Sequence, residues 1–117
     1  MNNRIEILAD QVRPLEHPHV SRNTGNLTYE QIFLNDEDTG MSVKFIRYPA
    51  GTVTPLHDHA CGHGMYVIRG TLVTDTGRFP AGSFVWFAEG EVMTHGADEA
   101  DCDCLFITNK PFSIRYL

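Results

Sequence analysis

The sequence predicts an all-β fold, a sandwich or barrel of short strands forming a single domain. Three observations carry this. Turn signals recur at short intervals, at Asp38-Thr39-Gly40, Pro49-Ala50-Gly51, Asp75-Thr76-Gly77, Pro80-Ala81-Gly82 and Glu89-Gly90. The segments between them are short and rich in β-branched and aromatic residues. No stretch of about 12 residues or more keeps the 3.6-residue apolar period of an amphipathic helix.

Taken in chain order, residues 1–26 are mixed in polarity and contain Pro14 and Pro18. They read as an N-terminal arm or edge strand ahead of a barrel domain over 27–117. Strands are predicted at 29–34, 43–48, 65–69, 71–74, 83–87 and 105–108, with further strands at 53–56, 92–95 and 114–117. Phe84-Val85-Trp86-Phe87 is apolar at every position. A strand with one wet face alternates, so here the outer face is expected to be covered too. A second copy of the chain would cover it, and a homodimer is expected; a folded-back N-terminal arm would do it equally well.

Composition bounds the function. The chain has 117 residues, the size of one domain. Its net charge of −6 leaves no basic footprint, so nucleic acid is not an expected partner. No apolar run approaches the roughly 18 residues of a membrane helix, so no membrane partner is expected either. Three cysteines cannot close a disulfide framework, and the N-terminus lacks a secretory pattern. A reduced, cytoplasmic setting is the expectation.

Chemistry concentrates in the histidines. His57, His59 and His63 lie within Pro55-Leu56-His57-Asp58-His59-Ala60-Cys61-Gly62-His63. In an extended chain, side chains two apart share a face, so His57 and His59 aim at one point. Gly62 permits a bend that brings His63, at the start of the next strand, toward them. His95 sits on another short strand and is placed to return to the cluster. Imidazole is a good ligand for Zn, Fe, Cu, Ni and Mn near neutral pH. His17 and His19 flank Pro18 in the arm and read as surface residues.

These residues resemble a known family. Gly51-x5-His57-x-His59-x3-His63-x6-Gly70 is similar to the first motif of the cupin superfamily, with His63 where glutamate is usual. Pro80-Ala81-Gly82 is similar to the centre of the second motif. Val85 occupies the usual position of its histidine, and His95 follows late. A late fourth ligand resembles the subgroup of acetylacetone-cleaving and dihydroxyacetophenone dioxygenases and the cupin domain of a class of anti-sigma factors. The resemblance covers about 27–110.

It implies a double-stranded β-helix, a small jelly-roll barrel, around one divalent metal ion, Fe, Mn, Ni or Zn, on His57, His59, His63 and His95. Four neutral imidazoles would leave the ion's charge uncompensated, which favours an anionic ligand such as an enolate. The implied activity is that of an oxidoreductase, an iron-dependent dioxygenase cleaving a small diketone or hydroxyketone. Two alternatives stay open: a non-catalytic metal-binding or sensor cupin, and a metal-dependent isomerase or lyase of a sugar or small acid. Tyr66 and Trp86 are candidates for the cavity wall. Cys61 reads as a small buried residue. Cys102 and Cys104 share a face of one strand. Most of the acidic residues around His95, from Glu89 to Asp103, read as solvated loop charges.

Overall fold

The computed structural model describes residues 4–117; Met1, Asn2 and Asn3 of the arm lie outside the described residues. Eleven strands follow one another: β1 (Pro18–Val20), β2 (Leu27–Asn35), β3 (Ser42–Tyr48), β4 (Val53–Asp58), β5 (His63–Arg69), β6 (Thr71–Thr74), β7 (Gly77–Pro80), β8 (Phe84–Phe87), β9 (Met93–Ala97), β10 (Cys102–Thr108) and β11 (Arg115–Tyr116). They form a six-stranded sheet, β1-β2-β3-β10-β5-β8, and a five-stranded sheet, β11-β4-β9-β6-β7. Every pairing is antiparallel. The two sheets close into the expected jelly roll.

Alternation builds the core. Along β5, His63, Met65 and Val67 are buried while Tyr66 and Ile68 are exposed. Leu72 of β6, Met93 of β9 and Phe106 of β10 meet them between the sheets. Each such side chain, fully withdrawn from water, stabilises the fold by roughly 1.5–3 kcal/mol. The inward side of β5 thus grades from His63 at its start to purely apolar packing.

Two details fix the frame. Gly70 turns β5 into β6 at φ +79°, and a side chain there would strike the Asp101 carbonyl. Asp103 of β10, almost buried, takes Arg47 through two bonds, at 2.7 and 3.0 Å, and Arg69 at 3.0 Å. Those bonds lock β10 to both of its neighbours, β3 and β5.

The arm is partly ordered as structure. The short 3-10 turn Pro14–Glu16 packs on β2 and β3. Gln31 clamps it, accepting from the Arg13 amide at 2.7 Å and donating to the Gln11 carbonyl at 2.9 Å. β1 then pairs along β2 as the edge of the larger sheet. The arm therefore lies at the opposite edge from β5 and β8, whose outer face carries exposed Tyr66, Ile68, Phe84 and Trp86. Tyr66 and Trp86 face outward and are not cavity walls. Gly62 and Gly64 let the Trp86 and Phe84 rings lie on that face; a Cβ on Gly62 would come within 2.6 Å of Trp86 Cζ2.

Candidate metal centre

His57 ends up on β4, His59 directly after it, and His95 on β9, the neighbour of β4. The pairing Thr54↔His95 and His57↔Met93 carries the two strands past each other so that both rings point inward. Their ring centroids are 4.7 Å apart, and His57 and His59 are 4.8 Å apart. One ligand atom from each of the three residues lies within 4.8 Å of the others.

Each ring is oriented by an oxygen on its far side. His57 Nδ1 is 2.6 Å from the Pro55 carbonyl and His59 Nδ1 is 2.7 Å from the Ser113 carbonyl. His95 Nδ1 is 3.1 Å from the Tyr48 hydroxyl. A carbonyl can only accept, so Nδ1 of His57 and of His59 carries the proton and Nε2 keeps its lone pair. This is the outer support that metal-binding histidines use. Burial keeps the Tyr48 hydroxyl protonated, its pKa raised well above normal.

The inward nitrogens have no satisfactory protein partner. His59 Nε2 is buried and unpaired, and His57 Nε2 faces His95 Nε2 at 3.1 Å. Desolvation pushes His59 down to about 4, lowers His57, and holds His95 well below its ordinary value. All three are neutral at pH 7, and Nε2 of His57 and of His59 offers its lone pair where the three rings converge. That donor set fits a divalent transition ion.

His63 stands beside this group rather than within it. Its ring is stacked between Phe87 and Phe106, with centroids 4.8 and 4.9 Å away. It lies 4.5 Å from His59 and 5.7 Å from His95, centroid to centroid. Both of its ring nitrogens are buried without a partner, and desolvation lowers its pKa to about 3.

A cavity of about 410 Å³ opens onto His59 and His95. Ile46, Tyr48, Phe106, Phe112, Ile114 and Tyr116 give it apolar walls, while Lys44, Glu30, Thr28 and His19 add polar groups. Lys44, Glu30 and His19 were not predicted. Lys44 was legible, because it alternates with inward Ile46 and Tyr48 on β3. His19 is exposed, as expected, yet it borders the cavity mouth. Glu89 and Glu91 stay in an exposed loop, where Glu89 pairs with Lys110.

Known proteins share this jelly roll. The model of the ChrR cupin-like domain family matches residues 14–113. The chain belongs to that family. No curated protein matches this cupin by sequence. Among solved structures, the cupin is similar to the anti-sigma ChrR of Rhodobacter sphaeroides, solved in complex with SigE. The identity is 26%, over 76% of this chain and 49% of that one, with a TM-score of 0.63. The cupin therefore spans about half of the anti-sigma chain. It shares its fold with a cupin-like protein of Thermotoga maritima, at 18% identity over 79% of this chain and 77% of that one, TM-score 0.66. A candidate dioxygenase of Nostoc punctiforme shares the fold at 14% identity, over 97% of this chain and 36% of that one, TM-score 0.69.

Proposed function

We propose that this cupin binds one divalent cation through His57, His59 and His95, with His63 as a fourth ligand, and works as a metal-dependent dioxygenase on a small diketone or hydroxyketone. One observation carries the reading: the converging imidazoles adjoin an open cavity with room for a small carbonyl compound. The unpaired nitrogens of His63, next to His59, support the fourth ligand. A bound divalent ion supplies Lewis acidity for an enolate oxygen and, as iron, redox capacity toward O2. Nickel, manganese and zinc also suit imidazole.

The chain's own part is orientation and an apolar setting. Tyr48 holds His95, and the carbonyls of Pro55 and Ser113 hold His57 and His59. Phe106, Phe112 and Ile114 give the cavity an apolar lining beside the histidines. With every imidazole neutral, no ligand offsets the cation, so an anionic enolate is favoured over a neutral ketone. The exposed Tyr66, Ile68, Phe84 and Trp86 face supports a homodimer as the working form.

The test is metal analysis of the purified protein, reloading with Fe(II), and O2 uptake with 1,3-diketones and hydroxyketones. Uptake that disappears in His57→Ala is the expected result. The match to the ChrR family supports a second reading, a metal-binding sensor without turnover. Stoichiometric zinc, no O2 uptake with any metal, and unfolding on chelation would establish that reading instead.

A further inference from the structure

A second constellation lines the same cavity and takes no part in the histidine cluster. Lys44 of β3 and Glu30 of β2 both line this cavity, although lysine and glutamate belong at surfaces. Lys44 Nζ donates to Glu30 Oε1 at 2.5 Å, and the Thr28 hydroxyl donates to Glu30 Oε2 at 2.6 Å. Their side chains are only 16% and 20% exposed. Burial alone would raise the Glu30 pKa, but Lys44 and Thr28 outweigh it and keep the carboxylate charged.

The ammonium also sits 4.9 Å from the Phe106 ring and 5.1 Å from the Phe112 ring. Phe106 lies 4.9 Å from His63 and Phe112 lies 5.0 Å from His59. The positive charge therefore stands one aromatic layer from the histidines. Among the described residues, Glu30 is the only oxygen acceptor of Lys44, so two of its three N–H donors are uncommitted.

Charge balance points the same way. Arg22 lines the cavity mouth, exposed and without an ion-pair partner among the described residues. The ionic lining is thus two cations against one carboxylate, in a chain of net charge −6. A positive cavity in a negative protein concentrates anions. Glu30 beside the ammonium disfavours a dianion such as phosphate. A monoanionic carboxylate with a short hydrocarbon stem suits both the ammonium and the phenylalanine walls.

We propose that Lys44, positioned by Glu30, anchors a carboxylate of the cavity's ligand, so that the substrate is a small carbonyl acid rather than a neutral diketone. This rests on the reading of the cavity as a carbonyl-compound site beside a divalent ion. Lys44 sets specificity, and Glu30 is a positioning residue.

The experiment is calorimetric titration of the zinc-loaded full chain with two matched pairs. Heptane-2,4-dione and 4,6-dioxoheptanoate share a 1,3-diketone head, and only the second carries a distal carboxylate. Butyramide and butyrate repeat the contrast without the diketone. The expected result is that each carboxylate binds about tenfold or more tighter than its neutral partner. In Lys44→Met/Glu30→Gln, which removes both charges and strands neither, the preference vanishes while heptane-2,4-dione binds within twofold of the parent. Lys44→Arg keeps most of it. Diketones that bind equally, or a carboxylate preference that survives in the double variant, would overturn the proposal. If neither diketone binds and butyrate still discriminates, the diketone reading falls and the carboxylate anchor stands. If butyrate does not discriminate either, both fall.

Discussion

Acid should unfold the metal-stripped cupin in a window set by its histidines. His59 and His63 are 3% and 0% exposed, and desolvation holds them at about 4 and about 3. In the unfolded chain both return to about 6.5. Because the folded values are depressed, the unfolded state binds more protons below pH 6.5. The stability these residues contribute is therefore complete above pH 6.5 and declines as pH falls toward 4 and 3. From pH 7.5 to pH 5, each neutral imidazole forfeits about 2 kcal/mol, almost independently of its exact folded value, so the pair forfeits about 4 kcal/mol. His57 and His95 are shifted in the same direction and add to the loss. The depressed carboxylates Glu30, Asp36 and Asp103 take effect only at lower pH, below their ordinary range. Against a total stability of roughly 5–15 kcal/mol this is a large fraction. Urea unfolding followed by circular dichroism at pH 7.5, 6, 5 and 4.5 measures it. His59→Gln/His63→Gln should flatten the profile, and saturating zinc should raise stability at every pH where the imidazoles are neutral. A metal-stripped chain equally stable at pH 7.5 and pH 5 would refute the reasoning.

Three further outcomes are expected. Asp103→Ala removes the bidentate partner of partly exposed Arg47 and should cost about 2 kcal/mol in urea unfolding; exposed Arg69 adds little. A cost under about 1 kcal/mol would show that the pair behaves as a surface contact. Gly70→Ala forces a left-handed backbone and a clash with the Asp101 carbonyl, and should lower stability by at least about 1 kcal/mol, read as a drop in Tm. Light scattering should give about twice the 13.2 kDa chain mass, and Trp86→Glu on the exposed face should halve it without loss of folding; a parent protein of single-chain mass removes the dimer.

Much of the architecture was readable from turns and alternation. β6 falls at 71–74 as predicted, and β2, β3, β5 and β10 extend the predicted segments by one to three residues at their ends. β7 was hidden, because Gly77 and Pro80 look like two turns. As the edge of its sheet, that strand tolerates both. The pairing of His57 with His59 followed from their two-residue spacing, and the convergence of His95 followed the family pattern. Parity also decided against Tyr66 as a wall residue, since it is one step out of phase with His63, Met65 and Val67. The Lys44–Glu30 pair escaped notice because charges in a strand are usually assigned to the wet face. Only the inward phase of Ile46 and Tyr48 reveals where Lys44 points.

The Gln31 clamp has a mechanical consequence. It ties the leading segment to β2, while the strand just beyond it carries His19 to the rim of the opening. A pull on the leading segment is therefore borne by β2 before it reaches the doorway of the pocket.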